Sequence, residues 1–280
     1  MLLKWAGGKG WLTKNHKQIF HSQDSLISRA FNNYPSIEYK KYIEPFLGGG
    51  AVFKYLKPSN ESILSDINDE LIGFYNCLKN RPKELYLSTQ KHMSEHCEDY
   101  YYKIRAKNNL TDETKRASRF LYLNRTCYNG IYRVNKAGEF NVPIGDSVSF
   151  NASEEEFKAY SELLKNSHIV NQDFRITIND AKKGDLIYVD PPYVTKSNES
   201  SFDMYSADQF NWNSQKELAN ILDQKNQEGV NIIVSNINDK NIARLYLKKN
   251  GWDHLALNRA NVMSYNADGK KYKEILFKNF

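Results

Sequence analysis

Two kinds of segment alternate along both ends of this chain, and the alternation restricts the fold more than any other feature. Short apolar segments with strand character occur at residues 42–47, 62–66, 168–173, 185–190, 230–236 and 273–277. Segments with the helical spacing of apolar residues follow several of them, as at 69–80 and 213–226. Consecutive parallel strands need a long crossover, which is usually a helix, so the pattern predicts an α/β fold with a parallel sheet.

The middle of the chain has a different character. Residues 82–124 are charged and rich in tyrosine, which favours helices with little strand content. Residues 125–145 contain Asn-Gly and Ala-Gly turns between short β-prone pieces, which indicates a hairpin. We therefore predict one α/β domain formed by residues 1–80 and 150–280, with a helical and hairpin insertion at 81–149.

Charge and cysteine content suggest a partner and a compartment. The net charge is +6, and residues 115–136 hold six basic residues, no acidic residue and three tyrosines. This mixture suits phosphate contacts and base stacking. The three cysteines fit neither a disulfide framework nor a paired zinc pattern, so we expect no metal site. No signal peptide or apolar run of ~20 residues is visible, which favours a cytoplasmic protein without membrane contact.

The glycines at 48–50 separate a predicted strand from a predicted helix. They allow the backbone to approach a ligand closely, although such a triplet is often only a tight turn. Asp66 closes the next strand, where acidic residues of nucleotide-binding α/β sheets bind ribose hydroxyls. The turn lacks the Lys-Ser/Thr ending of a phosphate-binding loop. A nucleoside ligand without a long phosphate chain therefore fits best.

The segment "DLIYVDPPYVTK" sets a carboxylate, two prolines and an aromatic ring at the end of a strand. Open α/β sheets bind their ligands at that end of their strands. The segment could be a rigid turn with Tyr193 as a core ring. Alternatively, the Asp190 carboxylate and the Pro191 carbonyl could accept hydrogen bonds from both N–H groups of a planar amine. Tyr193 would then stack on the ring that carries the amine. Such contacts would make an adenine amine a better nucleophile.

Six motifs along the chain resemble, in order, those of the Dam-like DNA adenine methyltransferases of the D12 class. They are "LKWAGGK" (3–9), "EPFLGGGAVF" (44–53), "SDINDELI" (65–72), "LYLNRTCYNGIYRVNKAGEFNVPIG" (121–145), "VDPPY" (189–193) and "VSNIND" (234–239). The resemblance implies a Rossmann-like methyltransferase sheet with helices on both faces, and it makes 81–149 a target-recognition insertion. It also implies site-specific methyl transfer to N6 of adenine in duplex DNA.

The resemblance implies S-adenosyl-L-methionine as the cofactor and double-stranded DNA as the partner. The cofactor-binding residues would be Trp5, Lys9, Phe46, Gly48, Asp66, Asp173, Phe174 and Asp190. The catalytic residues, which would grip an adenine flipped out of the helix, would be Asp190, Pro191, Pro192 and Tyr193. Base flipping is required because the amino group is inaccessible to a methyl donor inside the stack.

The same resemblance assigns DNA-binding residues to the insertion and to the amino end. Arg133 would read a guanine, Pro143 a thymine methyl and Lys4 a second guanine, while Tyr128 and Asn129 would wedge beside the flipped base. Arg125 and Asn135 are further DNA-binding candidates. The target would be GATC or a close relative. Asp146 and Ser147 stand where readers of GATC tend to have a basic and an aromatic residue, so the first base pair is where the target is expected to differ.

Two questions stay open at the level of sequence. The chain could be an active methyltransferase, or a catalytically weak or inactive DNA-binding module on the same fold, which cofactor turnover would distinguish. An active enzyme could work alone, belong to a phage or accompany a restriction or defence system.

Overall fold

The computed structural model describes residues 2–5, 7–11, 38–146, 148, 150–196, 210–257 and 274–280. Seven strands of this part form one sheet. They are β1 Tyr42–Glu44, β2 Ser62–Asp66, β3 Ser167–Asn171, β4 Leu186–Val189, β5 Asn231–Ile237, β6 Asp253–Leu257 and β7 Glu274–Lys278.

The strand order across the sheet is β3-β2-β1-β4-β5-β7-β6. β1 is parallel to β2 and β4, and β4 is parallel to β5. β7 is antiparallel to both β5 and β6. The predicted α/β class and Rossmann-like methyltransferase sheet are confirmed. The sheet is mixed rather than purely parallel, because the last two strands form an antiparallel pair, and β6 has no counterpart among the predicted strands.

Helices flank this sheet. Their bounds are α1 Ala51–Leu56, α2 Asp69–Asn80, α3 Pro82–Ser94, α4 Glu98–Arg105, α5 Glu113–Thr126, α6 Glu154–Leu164, α7 Phe174–Asn179, α8 Trp212–Gln227 and α9 Lys240–Leu247. Side-chain caps start most of them. Asn68 accepts from the backbone N–H of Leu71 at 3.0 Å, and Asp112 accepts from that of Lys115 at 2.8 Å. These contacts satisfy N–H groups that have no partner inside a helix.

The chain divides into two compact units. Unit 1 comprises Met1–Lys9, Leu47–Ser59 and Ser65–Asn171, and unit 2 comprises Gly10–Phe46, Asn60–Leu64 and Gln172–Phe280. Unit 1 contains helices α1–α6 and the predicted hairpin. That hairpin has two isolated antiparallel bridges, Cys127 with Ile144 and Val134 with Phe140, instead of two regular strands.

The two faces of the sheet in unit 2 differ in chemistry. Alternate residues point to opposite faces, so Ile187, Val234 and Ile275 lie within a cluster of buried apolar side chains. The opposite face carries the polar side chains of Glu44, Tyr188, Ser235 and Glu274, each at most 2% exposed, beside apolar residues such as Ile233 and Leu276. Buried polar groups are retained where they interact with one another.

Two observations are limited to the described residues. Among them, no helix has the length and apolar character that a membrane span requires. In the same residues, no group of three or more His, Cys, Asp or Glu side chains is arranged to hold a metal ion.

Candidate functional site

The glycine turn of unit 1 is shaped around a tryptophan. Gly48 and Gly50 have positive φ angles of 48° and 61°, which residues with a side chain rarely adopt. A Cβ atom on Gly48 would lie 2.9 Å from the indole ring of Trp5, and one on Gly49 would lie 3.1 Å from the Cβ of Trp5. The indole ring also stacks on Tyr132, with 6.0 Å between ring centroids. The backbone of the turn therefore packs directly against Trp5, which is itself stacked on Tyr132.

The carboxylate of Asp66 is hydrogen-bonded to the backbone of this turn. Its Oδ2 accepts from the N–H of Gly48 at 3.0 Å, and its Oδ1 accepts from the N–H of Asn68 at 3.0 Å. Burial raises the pKa of Asp66, and backbone N–H groups of Gly48, Asn68 and Ile67 offset part of that rise. A carboxylate has about four acceptor positions, so Asp66 can still accept from a ligand hydroxyl.

Lys9 is not a solvated surface lysine, because it is only 2% exposed. Its Nζ donates to the carbonyl of Gly7 at 2.9 Å. Buried lysines are uncommon unless they are paired or functional. Residues 5–9 therefore contribute the Trp5 ring and the buried Lys9 side chain to unit 1.

Phe46 and Phe174 pack together in unit 2. Their ring centroids are 5.2 Å apart, and Phe210 completes the cluster. Asp173 caps α7 by accepting from the N–H of Arg175 at 2.8 Å, and its Oδ2 forms an ion pair with the Arg175 guanidinium at 2.8 Å. The Asp173 carboxylate therefore has local structural roles that the sequence pattern did not indicate.

The segment predicted to be catalytic follows β4 in unit 2. Asp190 is half-buried, Pro191 is buried and Pro192 is exposed. The Tyr193 side chain is half-buried, but its hydroxyl oxygen is inaccessible to solvent. Burial, followed by the negative charges of Asp190 and Glu274, raises the pKa of Tyr193 well above its ordinary value. The hydroxyl oxygen is thus buried, although the residue as a whole is partly exposed.

The polar face of the sheet lies close to this segment. Ser235 and Glu274 act on the pKa of Tyr193 in opposite directions, Glu274 raising it and Ser235 lowering it. Burial, followed by the charges of Asp190 and Glu44, raises the pKa of Tyr188 well above its ordinary value. Both phenols are therefore neutral at physiological pH and can donate a hydrogen bond.

The predicted wedge residues lie at the end of α5 in unit 1. Tyr128 and Asn129 are exposed, and Asn129 has a φ of 54° in the sparsely populated left-handed region. The neighbouring Gly130 lies against Lys4, whose Cβ would be 2.4 Å from a Cβ added to Gly130. The Lys4 backbone is fixed by Asn124, which accepts from its N–H at 2.8 Å and donates to its carbonyl at 2.6 Å. Asn124 thus joins the amino end to the hairpin.

The predicted base readers lie on the hairpin itself. Arg133 is exposed, and its guanidinium is held by Asn141. Pro143 is exposed, and its carbonyl accepts from the N–H of Tyr128 at 3.0 Å. Asp146 is also exposed, whereas Ser147 lies outside the described residues. All five of the predicted residues lie in unit 1, where Lys4 contacts Gly130 and Pro143 bonds to Tyr128. They are Lys4, Tyr128, Asn129, Arg133 and Pro143.

Several basic residues of 115–136 are used inside unit 1. Arg116 pairs with Glu70 at 2.9 Å, and Arg119 is buried. Arg125 is half-buried, and its guanidinium lies 5.5 Å from the Phe150 ring. The exposed basic residues of this run are Lys115, Arg133 and Lys136. The run therefore offers fewer phosphate contacts than its charge count suggests.

Asn135 has a role within the hairpin turn. Its Oδ1 accepts from the N–H groups of Ala137 and Glu139 at 2.9 and 3.0 Å. Its Nδ2 donates to the Glu139 carboxylate at 3.0 Å. These bonds engage the side chain locally, as in many Asn-initiated turns.

Comparison with known proteins identifies the family. A sequence profile of the D12 class N6 adenine-specific DNA methyltransferases matches residues 5–261. The chain belongs to this family. Over 258 residues it is 38% identical to "Type II methyltransferase M.MjaIII" of Methanocaldococcus jannaschii, covering 84% of this chain and 83% of that protein.

Two further relatives are named DNA adenine methylase. The Serratia marcescens protein is 35% identical over 239 residues, covering 84% of this chain and 82% of its own length. The Escherichia coli K12 protein is 31% identical over 278 residues, covering 98% of this chain and 93% of its own length. The predicted membership of this family is thereby confirmed, and the chain is an enzyme of the adenine-specific DNA methyltransferase kind.

Methyltransferases of this kind generally use S-adenosylmethionine, and unit 1 has features that suit it. The glycine turn packs its backbone closely against Trp5, and Asp66 offers acceptors for ribose hydroxyls. Sequence reasoning missed Tyr132, which stacks on Trp5, and Glu274, which interacts with Tyr193. No local pattern marks these residues, because each acts through a partner distant in sequence.

Proposed function

We propose that this enzyme transfers a methyl group from S-adenosyl-L-methionine to N6 of an adenine that has been flipped out of duplex DNA. The proposed target is GATC or a close relative. The segment Asp190-Pro191-Pro192-Tyr193 carries the proposal, because it directly follows β4 and places a buried phenol oxygen on a residue that is only partly exposed. An aromatic ring at this position is suited to stacking on a planar base.

The catalytic residues would act on the amino group of the target adenine. The nitrogen lone pair is delocalised into the ring, so the free amine is a poor nucleophile. The Asp190 carboxylate and the Pro191 carbonyl would accept hydrogen bonds from the two amino N–H groups and direct the lone pair away from the ring plane. When the nitrogen–methyl bond forms, the methyl–sulfur bond would break to leave S-adenosyl-L-homocysteine, and the amine would lose one proton to solvent. Pro192 would keep the segment extended, and Tyr193 would hold the base by stacking.

The cofactor would supply an electrophilic methyl group on a sulfonium centre. Asp66 would accept hydroxyl hydrogen bonds, and Gly48 would allow close backbone approach beside Trp5. Lys9, Phe46, Asp173, Phe174 and Asp190 are the other proposed contacts. Both carboxylate oxygens of Asp173 already interact with Arg175, one as a helix cap and one as an ion pair. A contact of Asp173 with the cofactor would be made in addition to these.

DNA recognition would be the role of unit 1 residues. Arg133 would read a guanine, Pro143 a thymine methyl and Lys4 a second guanine, while Tyr128 and Asn129 would fill the space of the flipped base. Tyr128 is 48% exposed, which suits a wedge. Arg125 and Asn135 remain DNA-binding proposals, and residues 81–149 remain the proposed target-recognition insertion.

Quantitative nucleoside mass spectrometry tests the proposal directly. Purified enzyme, isotopically labelled S-adenosyl-L-methionine and a GATC duplex should yield labelled N6-methyladenine. Asp190→Ala should abolish the product while leaving DNA binding largely intact, and the exposed-carboxylate control Asp180→Ala should retain full activity. A wild-type protein that binds DNA without producing methylated adenine would instead support the inactive-module alternative.

A link to restriction or defence is a separate proposal. It rests on the resemblance to a relative named a Type II methyltransferase. Expression of the enzyme in a methylation-deficient host should then protect DNA from a nuclease that cuts the same site. DNA that carries methylated adenine at other sites but is still cut by the nuclease would show that the enzyme is active without this protective role.

A further inference from the structure

Arg133 and Asn141 face each other across the hairpin. The N–H of Asn141 donates to the carbonyl of Arg133 at 3.1 Å, and the next residues inward form the Val134–Phe140 bridge. The two side chains also meet. The Nε of Arg133 donates to Oδ1 of Asn141 at 2.8 Å, and its Nη2 donates to the Asn141 carbonyl at 3.3 Å.

These bonds use one particular edge of the guanidinium. An arginine has two edges that can present two parallel N–H groups, one formed by Nε and Nη2 and the other by Nη1 and Nη2. Asn141 accepts from both groups of the first edge. Within the described part of the chain, neither Nη1 nor the remaining N–H of Nη2 has a partner. The edge left available is therefore the end of the side chain.

The hairpin holds this arrangement rigidly. The N–H of Asn135 donates to the carbonyl of Glu139 at 2.9 Å, and that of Gly138 donates to the carbonyl of Asn135 at 3.0 Å. Glu139 is tied to the rest of unit 1 by Asn108, whose Nδ2 donates to its carboxylate at 2.9 Å. The backbone that carries Arg133 and Asn141 is therefore fixed at both ends of the turn.

We propose that Asn141 is a positioning residue for sequence recognition, because it occupies the Nε–Nη2 edge of Arg133 and presents the Nη1–Nη2 edge to guanine. Guanine offers two adjacent acceptors, O6 and N7, in the major groove, which match two parallel N–H donors. A long arginine that is held before binding loses less side-chain freedom when it binds. This inference rests on the proposed role of Arg133 in reading guanine.

The test compares base discrimination among variants. For each variant, the ratio of kcat/KM on GATC to that on each single-base substitution is measured, together with affinity for random DNA. Asn141→Ala should lower discrimination about 2- to 10-fold, at the same base pair that Arg133→Ala affects. Its affinity for random DNA should stay within about twofold of wild type, because phosphate contacts carry no sequence information.

Three further variants separate positioning from a general effect on folding. Asn141→Asp keeps the oxygen acceptor and should retain most of the discrimination. Asn108→Ala removes a bond between the hairpin and the rest of unit 1 but keeps both bonds from Arg133 to Asn141, so it should lower discrimination less than Asn141→Ala does. The double variant Arg133→Ala/Asn141→Ala should discriminate no worse than Arg133→Ala alone, because Asn141 acts through Arg133.

The outcomes are distinguishable from failure of the proposed function. Unchanged discrimination in Asn141→Ala, or additive losses in the double variant, would overturn the positioning role. Arg133→Ala could itself discriminate like wild type while adenine is still methylated. That result would reject the roles of both Arg133 and Asn141 in recognition, but it would support the proposed activity. If no adenine is methylated at all, equilibrium binding to the same duplexes gives the discrimination ratios instead.

Discussion

The Asp66 carboxylate and the Gly48 backbone N–H are joined by a hydrogen bond of 3.0 Å. This bond connects the end of β2 to the glycine turn and orients the carboxylate. Asp66→Ala should weaken S-adenosyl-L-methionine binding about tenfold to a hundredfold, because a charge-assisted hydrogen bond contributes ~1.5 to 3 kcal/mol. Isothermal titration calorimetry gives the affinity directly, and an unchanged value would remove Asp66 from the cofactor site.

The raised pKa of Asp66 also predicts a pH dependence of stability without cofactor. A carboxyl whose folded pKa is above its unfolded pKa stabilises the fold below the unfolded value, and that contribution is lost as pH rises through the folded value. The unfolding free energy of wild type minus that of Asp66→Ala should therefore decrease from acid to neutral pH. Urea unfolding across that range measures the difference. An increase with pH would mean that the backbone N–H groups outweigh burial.

Gly48→Ala should destabilise the protein through its contact with Trp5. The new Cβ would lie 2.9 Å from the indole ring, at a φ of 48°. We expect a loss of about 2 to 4 kcal/mol, which combines backbone strain with the steric clash. Gly138→Ala is the matched control, because Gly138 has a φ of 76° but no heavy atom within 4 Å of an added Cβ. Equal losses in the two variants would show that the Trp5 contact is unimportant.

Arg119 and Arg133 should differ sharply in their effects on stability. Arg119 is buried, donates to the carbonyls of Ile104 and Arg105 at 3.0 and 2.8 Å, and lies 3.5 Å from Glu70. Arg119→Ala should lower the unfolding free energy by about 2 to 4 kcal/mol, because it removes the donors of two carbonyls and the packing of a buried side chain, while Glu70 keeps its ion pair with Arg116. Arg133→Ala should change it little, since Arg133 is exposed. Chemical denaturation distinguishes the two, and similar stabilities would contradict the assignment of Arg119 as structural.

Tyr193 should tolerate loss of its hydroxyl better than loss of its ring. Stacking of a base on an aromatic side chain contributes ~1 to 3 kcal/mol, so Tyr193→Ala should lower kcat/KM roughly tenfold to a hundredfold. Tyr193→Phe keeps the stacking surface and should lose much less. Steady-state methylation on one duplex compares them. Equal losses would assign the function to the hydroxyl and its contacts with Ser235 and Glu274.

The sequence predicts most of the sheet because its strands are short apolar segments bounded by turns. It also predicts that Asp66 ends one strand and that Asp190 follows another, because each closes a short apolar segment. It does not predict that Arg116 and Arg119 are used internally, because their partner Glu70 lies on another helix. The contact of Arg133 with Asn141 depends on cross-strand register in the hairpin, which charge and spacing do not determine.

We expect this enzyme to methylate adenine in DNA and to need Asp190 for that reaction. Sequence-resolved modification mapping of plasmid DNA from a methylation-deficient host tests it most directly. Expression of wild type should place N6-methyladenine at GATC or a close relative, with any relaxation at the first base pair, and Asp190→Ala should leave the plasmid unmodified. N6-methyladenine at undiminished levels in the Asp190→Ala plasmid, or none in the wild-type plasmid, would contradict the account.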